Sequence, residues 1–208
     1  SVDTGTIHLT IAEEGVGGRP LLLVHGFTGA KEDFGDFLVP LAERGWHVVA
    51  PDLRGHGTSD KPTEEGAYTL PTFAGDVLAL ADALGWSRFT LLGHSMGGMI
   101  AAEMACLAPR DPGKLVLAAP AGLWIDAHPI PDIFAMLPFQ LVEALFHDPA
   151  RGQALLTAGA DLSDMEALKG LDPNDIRRAQ NLPPFDMNRR PDWQTRYGFY
   201  PSIAKPVI

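Results

Sequence analysis

Short apolar runs in the first half of the chain alternate with longer segments whose apolar residues recur at helical spacing. Leu21–Val24 is continuously apolar and "WHVVAPD" at 46–52 is nearly so; such runs are typical of strands buried on both faces of a sheet. Residues 6–12, "TIHLTIA", alternate apolar and polar positions and predict a half-exposed strand. The runs "RFTLLG" at 88–93 and "KLVLAAP" at 114–120 predict two further strands.

Helices are predicted between these strands. Residues 31–44, "KEDFGDFLVPLAER", place apolar side chains three and four positions apart; Gly45 is suited to end this helix, and Pro40 predicts a break within it. Two more helices are predicted over about 70–84 and 96–107. Because strands and helices alternate with short connections, we predict an α/β fold, with a mostly parallel central sheet and helices on both faces.

The alternation stops after Pro120. Segments such as "DIFAMLPFQLVEALFHD" at 132–148 have a helical pattern, prolines recur, and no buried strand is predicted before residue 205. We therefore predict that residues 1–120 form the N-terminal part of a core and that residues 121–204 form a helical cap. Residues 205–208 are predicted to begin a further core strand, and we expect the remaining C-terminal strands of the core to lie beyond the 208 residues.

Charge and composition narrow the class of partner. The chain has 26 acidic and 16 basic residues, and the basic residues form no cluster, so nucleic acid is not an expected partner. The single cysteine, Cys106, excludes an internal disulfide. No apolar run approaches the roughly 20 residues that span a bilayer, and "SVDTGTIHLT" at the start lacks the features of a signal peptide. We expect a cytoplasmic protein, without a membrane partner, that acts on a small molecule.

The candidate chemistry lies in "LLGHSMGGM", residues 91–99, where Ser95 follows a predicted strand and precedes a predicted helix. This G-x-S-x-G context is that of a nucleophile elbow, a sharp turn that exposes the serine and requires small neighbours. Gly93, Gly97 and Gly98 supply those neighbours, and the helix beginning near Met96 would direct its N–H groups at the reacting oxygen. The alternative is a tight strand-to-helix turn in which the serine is incidental.

Three segments together resemble the α/β-hydrolase superfamily. They are "HGF" at 25–27, "PDLRGHGTSD" at 51–60 and "GHSMGG" at 93–98, and their order and spacing are similar to those of the superfamily's signature stretches. The resemblance implies that Ser95 is the nucleophile, flanked in the elbow by His94. It implies no metal and no organic cofactor.

The same resemblance assigns the groups around the serine. It implies that the backbone N–H groups of Phe27 and Met96 form the oxyanion hole and that His25 and Gly26 belong to the oxyanion loop. An alternative for Gly26 is that it merely supplies an unusual backbone angle at the end of a strand. In the loop after Asp52 we expect a structural ion pair between Arg54 and Asp60.

No histidine is an evident base for Ser95. The superfamily's chain order is serine, acid, histidine, so we expect the acid and the histidine beyond Ile208, supplied by a further C-terminal segment or by a second polypeptide; Asp126 is an alternative acid. We expect His8 and His47 to lie at the surface or rim and His56 to order its own loop. The seven histidines are His8, His25, His47, His56, His94, His128 and His147.

The predicted function is that of a serine hydrolase that cleaves a small, largely apolar carboxylic ester, with Trp124 and Phe139 as candidate pocket residues. A serine at the elbow argues against the superfamily's haloalkane dehalogenases and epoxide hydrolases, which use aspartate there. It does not separate esterases from C–C bond hydrolases, lactonases, thioesterases or cofactor-free perhydrolases. A protein of another class, a non-catalytic small-molecule-binding pseudoenzyme, is the remaining alternative.

Overall fold

A computed structural model of the chain describes residues 1–64, 66–123, 127 and 136–150. Residues 1–123 belong to one compact unit, and residues 136–150 belong to a second. The strands of the first unit are β1 (Val2–Asp3), β2 (His8–Leu9), β3 (Ile11–Glu14), β4 (Arg19–Val24), β5 (Trp46–Pro51), β6 (Phe89–His94) and β7 (Pro112–Ala118). Its α-helices are α1 (Gly35–Ala42), α2 (Leu70–Ala83) and α3 (Met96–Leu107), and the second unit contributes α4 (Pro138–Leu145).

The predicted mostly parallel sheet is confirmed. Its described strands follow the order β3-β5-β4-β6-β7, with β3 antiparallel to β5 and every other neighbouring pair parallel. β4 lies at the centre, where Leu21 is opposite Val48 of β5 and Thr90 of β6. β1 and β2 form a separate antiparallel pair.

Helices pack on both faces of this sheet. Alternate residues of a strand point to opposite faces, so the apolar side chains of one strand contribute to both cores. Leu22 and Val24 of β4 join the core formed with α2 and α3. Leu21 and Leu23 of the same strand join the second core, against which Leu38 of α1 packs. Both sides of β4 are therefore covered by apolar side chains, which explains its continuously apolar sequence.

The strand predicted over residues 6–12 is wrong in one respect, because the structure divides it into β2 and β3. β2 pairs with β1, whereas β3 pairs with β5 in the main sheet. Thr10 separates the two strands, and its N–H donates to Ser59 Oγ at 2.8 Å. The half-exposed pattern thus covers two short strands that belong to different sheets.

The break predicted at Pro40 is also wrong. A 3₁₀ turn over Lys31–Phe34 leads into α1, which continues through Pro40 to Ala42. A proline removes one N–H donor from a helix, and here the loss falls only two residues before the helix ends. Gly45, with φ of 79°, follows the end of the helix as predicted.

In the second unit, α4 lies within the segment 132–148 that has a helical pattern. The Leu137 N–H donates to Gln140 Oε1 at 2.9 Å at the start of this helix. The boundaries predicted for the cap and the strand predicted at 205–208 fall largely or wholly outside the described residues, so they stay predictions.

Candidate active site

Ser95 occupies the turn between β6 and α3 and has a strained backbone, with φ of 54° and ψ of −119°. Such a conformation costs a residue with a side chain about 1–3 kcal/mol and persists only where its surroundings enforce it. The loop after β7 supplies part of that enforcement. The Ser95 N–H donates to the Ala118 carbonyl at 3.0 Å, and the Ser95 carbonyl accepts the N–H of Ala121 at 2.9 Å.

Three glycines permit the close packing around this turn. A Cβ added to Gly93 would lie 2.1 Å from the carbonyl oxygen of Gly97, and one added to Gly97 would lie 2.1 Å from the carbonyl oxygen of Val24. At Gly98 the added atom would lie 2.8 Å from Cβ of Pro120. The elbow is therefore pressed against the end of β4 and the loop after β7, with no room for larger residues.

The loop after β4 lies beside Ser95. A Cβ added to Gly26 would be 3.2 Å from Cβ of Ser95, so Gly26 is needed for close approach. Phe27 follows Gly26 and is 45% exposed. Met96 follows Ser95 and begins α3, where the N–H groups of the first turn point away from the helix and carry partial positive charge. The structure thus brings Gly26, Phe27, Ser95 and Met96 to one place.

His25 is fully buried beneath this loop, and both of its ring nitrogens are hydrogen bonded. Nε2 accepts the N–H of Leu53 at 3.0 Å, so Nδ1 carries the proton and donates to the Gly26 carbonyl at 2.7 Å. Burial lowers the pKa of His25, partly offset by the hydrogen bond to Gly26. The ring is held neutral and connects the loop after β4 to the loop after β5.

The other histidines have partners away from Ser95 or are exposed. The position of His47 at the surface or rim was wrongly predicted, because only 9% of the residue is exposed. Its Nε2 lies 2.7 Å from Glu13 Oε1, and its ring contacts Trp86. His8 lies near Asp3 and Asp60, while His94 and His147 are exposed. Among the residues that the structure describes, Ser95 Oγ is hydrogen bonded to no histidine. His128, Trp124 and Asp126 lie outside the described residues, and Phe139 is half-buried on α4.

Asp52 organises the polar loop that follows β5. Its buried carboxylate accepts hydrogen bonds from the Lys31 N–H and Lys31 Nζ, both at 2.8 Å, and from the Thr58 N–H at 2.9 Å. Burial alone would raise the pKa of Asp52, but these donors outweigh burial and hold the pKa below its usual value. One ionised carboxylate therefore joins the start of this loop to Thr58 within it and to Lys31 in the segment before α1.

The expected pair between Arg54 and Asp60 is wrong. Arg54 instead makes a two-pronged contact with Asp76 of α2, with Nε to Oδ2 at 2.6 Å and Nη2 to Oδ1 at 2.7 Å. Hydrogen bonding to Asp76 raises the pKa of Arg54 despite its burial. Asp60 accepts the His8 N–H instead. The helix places its carboxylate over the loop, a long-range proximity for which the sequence carries no local signal.

Within residues 1–64, 66–123, 127 and 136–150, no three histidine, cysteine or acidic side chains are grouped so as to hold a metal ion. In the same part of the chain, none of the helices has the length and apolar character required to cross a bilayer.

Comparison with known proteins agrees with the geometry. The model of the family described as "alpha/beta hydrolase fold" matches residues 19–202. A serine hydrolase-like protein of Danio rerio is 39% identical over 100 residues, which are 48% of this chain and 30% of that protein. Epoxide hydrolase A of Mycobacterium tuberculosis is 34% identical over 122 residues, covering 58% of this chain and 38% of the relative.

A solved structure, that of a probable hydrolytic enzyme from Pseudomonas aeruginosa, aligns with a TM-score of 0.56 and 28% identity. The alignment covers 77% of this chain and 53% of that one. The family model matches most of the length of this chain, so the chain belongs to the alpha/beta hydrolase fold family. The chain spans well under two thirds of these relatives, at 30% and 38% of the two proteins compared by sequence.

Proposed function

We propose that this protein is a serine hydrolase that cleaves a small, largely apolar carboxylic ester through an acyl-enzyme on Ser95. The observation that carries the proposal is the position of Ser95 at the apex of a strained strand-to-helix turn, with φ of 54°. Gly26 lies close to Ser95, and α3 begins at the next residue, Met96. Strain at a residue that could carry the chemistry is typical of a functional turn.

In the proposed reaction, Ser95 Oγ attacks the ester carbonyl carbon while a base takes its proton. The N–H groups of Phe27 and Met96 stabilise the negative oxygen, and loss of one such donor lowers kcat by about 10²–10³. The carbon–oxygen bond to the alcohol then breaks, and the alcohol leaves with the proton held by the base. Water attacks the acyl-enzyme in the same way and releases the acid.

This reaction needs a histidine and an acid, and we place both outside the described residues, in a further segment or a second polypeptide. Asp126 remains a candidate acid. Trp124 and Phe139 remain candidates for lining an apolar pocket.

The choice of ester over epoxide rests on the serine. The relatives include both a serine hydrolase-like protein and an epoxide hydrolase. A serine alkoxide forms a stable acyl-enzyme with a carbonyl substrate, and Ser95 provides that group. C–C bond hydrolases, lactonases, thioesterases and perhydrolases share this first step, so they define the range of substrates to test.

The test is covalent labelling combined with turnover. A fluorophosphonate probe should label the intact enzyme, with the histidine and the acid present, and the same sample should hydrolyse p-nitrophenyl acetate. Both signals should vanish in Ser95→Ala and remain in Ser87→Ala, a matched control because Ser87 is exposed and lies before β6.

Two outcomes would refute the proposal. A folded protein that neither labels nor hydrolyses any ester or thioester would be the pseudoenzyme. Turnover of an epoxide without turnover of an ester would indicate an epoxide hydrolase instead of a serine esterase.

A further inference from the structure

His56 has no part in the proposed reaction, although it contacts the oxyanion loop. Its Nε2 lies 2.5 Å from the carbonyl oxygen of Phe27, and its Nδ1 lies 2.9 Å from that of Arg54. A carbonyl oxygen only accepts hydrogen bonds, so each contact requires a proton on the ring nitrogen. The shorter contact indicates that Nε2 carries a proton and donates to the Phe27 carbonyl.

The direction of this hydrogen bond is set by the core. The His56 ring makes edge contacts with the His25 ring, at 5.0 Å between centroids, and with the Phe73 ring, at 6.4 Å. His25 is fully buried and Phe73 is 4% exposed. Because both neighbours are fixed, the His56 ring has little freedom to turn its Nε2 away from Phe27.

Phe27 is held at both of its peptide groups. The peptide before it ends in the Gly26 carbonyl, which accepts from His25 Nδ1 at 2.7 Å and from the Gly29 N–H at 3.1 Å. The peptide after it includes the Phe27 carbonyl, which accepts from His56. A peptide group is planar, so the Phe27 N–H points opposite the held Gly26 carbonyl. Holding the Phe27 carbonyl as well restrains the two dihedral angles of Phe27 that relate the two peptide planes.

We propose that His56 is a positioning residue for the oxyanion hole. Its Nε2–H holds the Phe27 carbonyl and thereby keeps the Phe27 N–H aimed at the oxyanion. The inference rests on the proposed serine hydrolase reaction, since the donor matters only if negative charge develops on the substrate oxygen.

The test compares His56→Ala, His56→Gln and a control, His8→Gln, whose histidine is exposed and lies in β2. In His56→Ala, kcat for a p-nitrophenyl ester should fall about tenfold to a hundredfold while KM changes less than about threefold, because the loosened donor acts mainly in the transition state. Affinity for a trifluoromethyl ketone, whose adduct with serine carries an oxyanion, should fall by the same factor as kcat. His56→Gln, which keeps an N–H donor, should recover part of both losses, and His8→Gln should match wild type.

Contrary outcomes are separable. Unchanged kcat in a folded His56→Ala would overturn the inference, as would a fall in kcat without a matching fall in ketone affinity. If His56→Ala does not fold, the nitrogen NMR spectrum of the wild-type ring decides, since a proton on Nε2 coupled to the Phe27 carbonyl supports the inference and its absence overturns it. A wild-type protein without labelling or turnover would instead remove the proposed function, and the inference with it.

Discussion

The ion pair between Arg54 and Asp76 allows the most direct test of what holds the site's scaffold together. Arg54 is 8% exposed and Asp76 is 3% exposed, and the two side chains share two hydrogen bonds, at 2.6 and 2.7 Å. Arg54 Nη1 also donates to the Ala67 carbonyl at 2.8 Å. Asp76→Asn leaves the shape of α2 nearly unchanged but places an amide and a buried, uncompensated guanidinium face to face.

The expected size of the effect follows from this burial. Removing one partner of a buried pair costs about 3–5 kcal/mol, because the remaining charge has lost both water and its counter-charge. That is a large part of the roughly 5–15 kcal/mol that stabilises a typical domain. For a protein of this size the melting temperature should fall by about 6–20 °C.

Urea and thermal unfolding, followed by circular dichroism, would measure the loss. Asp82→Asn is the matched control, since Asp82 is an exposed aspartate on the same helix, and its effect should stay within about 0.5 kcal/mol. Combining Asp76→Leu with Arg54→Met should recover much of the loss, because an apolar pair leaves no buried charge unpaired. Equal melting temperatures for Asp76→Asn and Asp82→Asn would refute the reasoning.

Three further predictions test other parts of the fold. Burial lowers the pKa of His25 from 6.5, so below pH 6.5 unfolding takes up a proton and the unfolding free energy should fall by up to about 1.4 kcal/mol per pH unit. In urea titrations His25→Asn should weaken this pH dependence, and an equal dependence in wild type and variant would contradict the prediction. The pKa of Asp52 is lowered from 3.8, so the stability that its carboxylate contributes is present above pH 3.8 and is lost as the pH falls further. In thermal melts Asp52→Asn should be about 3 kcal/mol less stable than wild type at pH 7 and should lose less stability on acidification. A variant that loses as much stability in acid as wild type would argue against this. Gly97→Ala should abolish fluorophosphonate labelling because its Cβ would overlap main-chain atoms. Gly75→Ala in α2 is the control: no atom lies within 4 Å of the added Cβ, and stability should rise by about 0.5–1 kcal/mol. Normal labelling of Gly97→Ala would show that the turn at Ser95 can adjust to the extra atom.

Much of the fold could be predicted because its elements are marked locally. α3 spans Met96–Leu107, and α2 spans Leu70–Ala83, in agreement with the helical patterns to within a residue. The buried strand β4 and the strand-to-helix turn at Ser95 could be predicted from the sequence equally well. Each depends on residues close in sequence, such as the glycines that flank the serine.

The polar contacts could not be predicted from local pattern. His47 reaches Glu13 across 34 positions, and Arg54 reaches Asp76 across 22. Asp60, which lies in the same loop as Arg54, was the wrong partner because α2 folds back over the loop. Burial of His47 likewise depends on Trp86, which comes from the turn after α2.

The candidate site divides in the same way. The sequence predicted a nucleophile at Ser95 but did not indicate that Ala118, at the end of β7, and Ala121, in the loop after it, hold the backbone of Ser95. Those bonds join backbone atoms, which any residue supplies, so no side-chain pattern marks them. The contact from His56 to Phe27 was hidden for a different reason: the histidine is 29 positions away, in a loop whose own order explained its presence.

The glycines of the elbow have a consequence for engineering. Any side chain at Gly93 or Gly97 would lie 2.1 Å from a main-chain carbonyl oxygen, of α3 in one case and of β4 in the other. Main chain inside a helix or a sheet cannot move aside as the end of a flexible side chain can. Almost every member of a random library at these two positions should therefore be lost before its activity can be selected. Laboratory evolution toward new substrates should therefore keep this turn unchanged and randomise residues that do not contact it.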